Sequence, residues 1–203
     1  VPVICASDKT HLTNFWGDQH AWPLYLTMGN IRKDIRRTPQ KLSWILVGLI
    51  PGPPKGAKNA DEAWHSAVAT VLSPLRNLDI TGPGLKWNCA NEFRRRCYLH
   101  LAAWVGDHPE QVMLAQVSYG CCPMCEIPKG APMGQSTFRP LDNPRDQHLY
   151  SEFLDETNID VLHTLCVHPI HNQFWQYPLC NVYRLWQPDE LHQLHQQKVQ
   201  KVF

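Results

Sequence analysis

The chain has 203 residues, of which 43% are hydrophobic and 18% charged, with a formal net charge of +1. This composition excludes disorder and leaves room for one sizeable core, or a core plus an appendage. The near-zero charge argues against a free-standing nucleic-acid binder, which needs surplus Lys and Arg on one face, but a nuclease core can stay near neutral when its carboxylates offset basic surface. No apolar run approaches the roughly eighteen residues of a membrane span, and no charged segment leads into a hydrophobic one. The chain therefore reads as soluble, not secreted and without a membrane partner. Val1 is not a natural start, so an upstream segment is expected to be missing.

In chain order, the β-branched run Val1 to Ala6 predicts a strand that stops at the polar turn Ser7-Asp8-Lys9-Thr10. Trp22 to Met28 predicts a second strand leaving through Gly29-Asn30, and Leu42 to Ile50 a third, closed by Pro51-Gly52-Pro53-Pro54. Asn59, with Glu62 three residues on, suits a helix start. Trp64, Val68, Val71, Leu72 and Leu75 then carry an amphipathic helix to about Leu78, with Pro74 as a kink or early stop. Leu85 to Ala90, a turn near Asn91-Glu92 and a return from about Arg95 to Val105 predict a hairpin. The nearly all-apolar part from Leu99 suits a strand buried on both faces. Pro109 to Val117, His148 to Asn158 and Asp189 to about Val202 are candidate helices, and residues 120–144 are loop-rich.

Two of these strands end at an acid, Asp8 and Asp107. Ligands of open sheets gather where strand ends meet loops, and neighbouring carboxylates there can share Mg²⁺ or Mn²⁺. A third acid on a later helix would complete such a site, with Asp189 the candidate and Glu190 its neighbour. Three strands, a helix, a strand ending in Asp and another helix is the chain order of an RNase H-like core. The predicted class is α/β, an RNase H-like mixed sheet flanked by helices, with a Cys/His-rich insertion. An Asp after a strand is also a common turn or cap residue, so spacing alone leaves both readings open.

The stretch from Ser7 to Asp18, Ala21-Trp22-Pro23-Leu24-Tyr25-Leu26-Thr27-Met28-Gly29-Asn30-Ile31 and Lys33-Asp34-Ile35-Arg36-Arg37-Thr38-Pro39 resemble the catalytic domain of Plavaka transposases, fungal relatives of the CACTA DNA transposons. Arg94-Arg95-Arg96-Cys97-Tyr98, Ala102 to Gln111, Cys122-Pro123-Met124-Cys125 and Pro188 to His195 continue the likeness in family order. The resemblance implies a nuclear DDE/D-type enzyme that cuts transposon ends and joins them to target DNA using Mg²⁺ or Mn²⁺. Asp8, Asp107 and Asp189 would be its metal ligands, and a homo-oligomer stays open. Ala90-Asn91-Glu92 stands where the family often has Ala-Asp-Gly, and the family runs on past Leu194-His195. The resemblance thus implies a truncated core: residues 1–119 its first part, 120–180 the insertion and 181–203 a closing helix. The alternative is a catalytically inactive, decayed or domesticated remnant that serves as a DNA- or protein-binding module.

Three of the eight cysteines lie in Cys121-Cys122-Pro123-Met124-Cys125. Cys122 and Cys125 have knuckle spacing for Zn²⁺, with buried thiols as the other reading. A redox pair would want a thioredoxin-like setting that is not evident. With the resemblance, structural zinc is preferred, its other ligands drawn from His163, Cys166, His168, His171 or His192. His192 and His195 share a helix face, either for metal or phosphate or as a polar face. Arg36 and Arg37, with Arg32 and Lys33, and Arg94, Arg95 and Arg96 form the basic clusters. They read as DNA-phosphate contacts or as solvated charged edges. The eight tryptophans are scattered and read as packing residues.

Overall fold

The computed structural model describes residues 1–13, 19–53, 56–127 and 144–188. The chain divides into two compact units: Val1–Val105 with Gln176–Cys180, and Gly106–Trp175 with Asn181–Phe203.

The first unit is a mixed sheet with a helix laid on one face. Its elements are β1 (Pro2–Ser7), β2 (Thr10–His11), β3 (His20–Met28), α1 (Lys33–Arg36), β4 (Ile45–Pro51), α2 (Ala60–Arg76), β5 (Leu85–Asn88), β6 (Arg94–Cys97) and β7 (His100–Gly106). Strand β3 runs antiparallel to β1, with Val3 opposite Met28 and Ser7 opposite Leu24, and to β4 on its other edge. The β-branched and apolar residues of β1 alternate inward at Val3, Cys5 and Ser7, as the period of two requires. Strand β7 joins β1 in parallel. Its Trp104 is fully buried, and the indole Nε1 donates to Ser7 Oγ at 3.0 Å, so the largest core side chain has its one polar atom satisfied.

Helix α2 buries Trp64, Val68, Leu72 and Leu75 of the predicted stripe and leaves its Val71 half-buried. Trp64 meets Trp22 of β3 edge to face at 6.4 Å. A Cβ at Gly48 would come within 3.0 Å of Val71, so the bare backbone of β4 lets the helix lie close. Asn59 stands at the N-cap but makes no side-chain cap bond, and Pro74 sits inside the last turn without ending the helix.

One expectation is corrected. The return run from Arg95 to Val105 is two strands: β6 pairs only with β5 in a separate two-stranded sheet, and β7 enters the main one. Between them Leu99 N donates to Leu78 O at 2.7 Å. The chain changes sheets where its composition changes, because Arg94-Arg95-Arg96 would carry unpaired charge into a buried sheet and the following apolar residues do not.

The second unit holds α3 (His108–Ala115), α4 (Gln147–Asp155), α5 (Ile159–Thr164) and the short strand β8 (Trp186–Pro188). Its core gathers Val112, Leu114, Val117, Tyr150, Leu162, Val167, Phe174 and Tyr183. A bridge pairs Val117 with Val167, and buried Asn172 ties the chain by donating to Leu114 O at 2.8 Å. Helix α5 was not expected. The candidate helix from Asp189 lies outside the described residues.

Candidate functional site

Parallel pairing sends the C-terminal ends of β1 and β7 to the same edge of the sheet. In that pairing Ala6 is opposite Val105. Asp8 follows Ala6 by two residues and Asp107 follows Val105 by two. Asp8 is exposed, and its backbone carbonyl accepts a bond from Thr10 Oγ1 at 3.1 Å. Asp107 is the N-cap of α3, with extended backbone (φ −71°, ψ 174°) and Oδ1 accepting from Glu110 N at 3.0 Å. Pro in the first turn of α3 favours that start, and Gln111 Nε2 holds the preceding Gly106 carbonyl at 2.9 Å. A carboxylate offers about four acceptor positions, so the cap leaves capacity on Asp107. Asp189 and Glu190 lie outside the described residues.

Glu110, buried at the third position of α3, was not singled out from the sequence as a site residue. A Glu three residues after a capping Asp in Asp107-His108-Pro109-Glu110 was the available signal.

The cysteine knuckle lies in the second unit. Cys125 is buried and Cys122 half-buried, and both are free thiols. Burial, then a hydrogen bond with Cys122, pushes the Cys125 thiol up to about 11, against a lowering by the Arg145 charge. Arg145 is 2% exposed, and its guanidinium binds the carbonyls of Cys122 (2.7 Å) and Leu165 (2.9 Å), bracing the knuckle from behind. No pattern in the sequence marked it. Among the described residues no three His, Cys, Asp or Glu gather to hold a metal ion. Of the other candidate ligands, His171 Nε2 is 3.8 Å from Asp155, and His192 lies outside the described residues.

The two basic clusters differ. Arg36 Nη1 donates to the carbonyls of Gly29 (3.0 Å) and Ile31 (3.2 Å), closing the exit of β3, and Arg32 pairs with Asp34 at 3.0 Å. Arg37 is exposed. On the hairpin Arg94, Arg95 and Arg96 are all exposed; Arg95 donates to Asn91 Oδ1 at 2.9 Å and lies over the Phe93 ring at 5.6 Å.

These elements define a mixed α/β protein with an acid just beyond each of two parallel, neighbouring strands and an exposed basic hairpin. The family model described as Plavaka transposase matches residues 1–202. The chain belongs to the Plavaka transposase family, as the sequence blocks implied, and its function is accordingly transposase-related, with DNA as its partner. No curated protein and no solved structure matches it. No helix among the described residues is long and apolar enough to cross a membrane.

Proposed function

We propose that the chain carries a transposase catalytic core of RNase H-like architecture, working on DNA in the nucleus, whose ancestral reaction is metal-dependent cleavage of transposon ends and strand transfer to target. The observation that carries this reading is the parallel pairing of β1 and β7, with Ala6 opposite Val105 and an acid two residues beyond each. Asp8 and Asp107 are assigned as ligands for Mg²⁺ or Mn²⁺, with Asp189 (or Glu190) as the third acid. Oxygen donors on short acidic side chains fit a hard cation. When bound, such ions supply an activated attacking oxygen and stabilise the leaving one. The chain's own residues hold the rest in place. The bond from Glu110 N fixes the Asp107 carboxylate, and the Trp104–Ser7 bond fastens β7 to β1 just before both acids. Arg37, Arg94, Arg95 and Arg96 hold DNA phosphates, while Arg36 supports the β3 exit and keeps further N–H groups for the same use.

Zinc at Cys122 and Cys125 belongs to the same proposal, as a structural ion that takes no part in the chemistry. Cys122 and Cys125 would be two of the four ligands a closed site needs.

The test is nicking of supercoiled plasmid with Mn²⁺ or Mg²⁺. Asp8→Asn and Asp107→Asn should each abolish nicking with circular dichroism unchanged, and nicking that persists in both rejects the assignment. A chain that nicks nothing and shows no Mn²⁺ binding by titration calorimetry is instead the inactive remnant. The second reading has an observation of its own in the capping role of Asp107, which needs no metal.

A further inference from the structure

The β5–β6 hairpin has an arrangement that packing does not account for. In its register Lys86 is opposite Arg96, Trp87 opposite Arg95, and Asn88 opposite Arg94. One face thus carries Lys86, Arg94 and Arg96, and the other carries Trp87 and Arg95 with Phe93 at the turn. Like charges directly opposite each other destabilise a strand pair, and a two-stranded hairpin is marginal to begin with. Among the described residues Arg94 and Arg96 have no ion-pair partner that would offset this. An anion lying along that face removes the penalty. On the other face Trp87 is 55% and Phe93 66% exposed, so two aromatic rings are held in water beside a guanidinium. Glu92, at φ +64°, makes the tight turn that presents Phe93.

We propose that the β5–β6 hairpin binds single-stranded DNA on the face of Trp87, Phe93 and Arg95, the rings stacking on unpaired bases and Arg95 holding a phosphate between them, while Lys86, Arg94 and Arg96 on the opposite face draw in the flanking phosphates. A duplex would satisfy the cations equally well, but it offers the rings only base edges, because its base faces are already stacked on one another. Unpaired bases present their faces, and exposed aromatic rings beside a cation, with further positive charge close by, are how single strands are held without sequence preference. The inference rests on the reading of Arg94, Arg95 and Arg96 as DNA contacts and adds the strand state they select. It does not depend on Asp8 or Asp107.

Fluorescence anisotropy of the whole 203-residue chain with a labelled oligonucleotide, alone and annealed to its complement, in EDTA, tests this. The single strand should bind more tightly. The pair Trp87→Leu and Phe93→Leu should weaken it by roughly tenfold or more and leave the duplex within about twofold. Trp87→Tyr should keep most of the affinity, which a merely structural role for the indole does not predict. Arg94→Ala with Arg96→Ala should weaken both forms and flatten the salt dependence. Equal or tighter binding of the duplex, or indifference to the aromatic pair, overturns the strand preference while the phosphate reading stands. Failure to bind either form overturns both. Because EDTA removes divalent ions, binding in this assay does not need the carboxylate site, which keeps the outcome separate from that of the carboxylate assignment.

Discussion

Along β1, Val3, Cys5 and Ser7 turn inward and are covered, whereas no residue of β5 or β6 is buried. Both regions belong to the same compact unit and use the same antiparallel backbone pairing. The difference lies in what the side chains are for. In the main sheet Trp104 has 0% exposure and its indole N–H is bonded to Ser7 Oγ. In the hairpin Trp87 projects into solvent next to Arg95. Removal of apolar area from water stabilises the first region, while the second keeps its area available for a ligand at some cost to itself. Two tryptophans in strands therefore mean opposite things, and the neighbours across the strand pair, not the residue type, tell them apart.

The largest test of that contrast is truncation of the two rings. Trp104→Ala should cost about 3–5 kcal/mol in urea unfolding, the range for emptying a packed aromatic site. Trp87→Ala should stay within about 0.5 kcal/mol of the parent. Equal costs would mean that the hairpin is a packing element and would remove the ground for its role as a DNA contact. A smaller test lies inside the sheet. Ser7→Ala removes the acceptor of the Trp104 indole and leaves a buried N–H unsatisfied, which should cost about 1–3 kcal/mol. If Ser7→Ala is neutral, the indole finds another acceptor, and the bond between β1 and β7 is not what fastens these strands before their acids.

Where periodicity was strong, the elements were legible: β1, most of β3, the α2 stripe and the turn at Asn91-Glu92 follow from residue order alone. The division of the return run at Tyr98-Leu99 was not, because both halves favour extended chain and only the choice of partner separates them. That choice is tertiary. For the same reason the positions of Asp8 and Asp107 after strands could be read, but the register of Ala6 with Val105 could not. Short helices such as α1 and α5 carry too few turns to leave a period. Arg145 left no trace at all: an arginine is buried only where carbonyls happen to meet it, and those of Cys122 and Leu165 lie 23 and 20 residues away along the chain. The knuckle spacing of Cys122 and Cys125 was visible, whereas the ligands that would complete it depend on packing that spacing does not encode.

The smallest expected effect separates two roles of one side chain. Asp107 caps α3 through Oδ1, a structural use, and in the proposed reaction it also holds a cation. Asn is as good an N-cap as Asp, so Asp107→Asn should retain the bond to Glu110 N and lose only the charge near the positive end of the helix, a few tenths of a kcal/mol up to about 1. Asp107→Ala loses the cap itself and should cost about 1 kcal/mol more than Asn does. Nicking should vanish in both, because an amide is a poor ligand for a hard divalent ion where a carboxylate is wanted. A variant series in which activity follows stability, falling partway in Asn and further in Ala, would assign Asp107 to the helix alone. Activity lost fully in Asn, with the fold nearly untouched, assigns it to the chemistry, and only the charge distinguishes that outcome from the first.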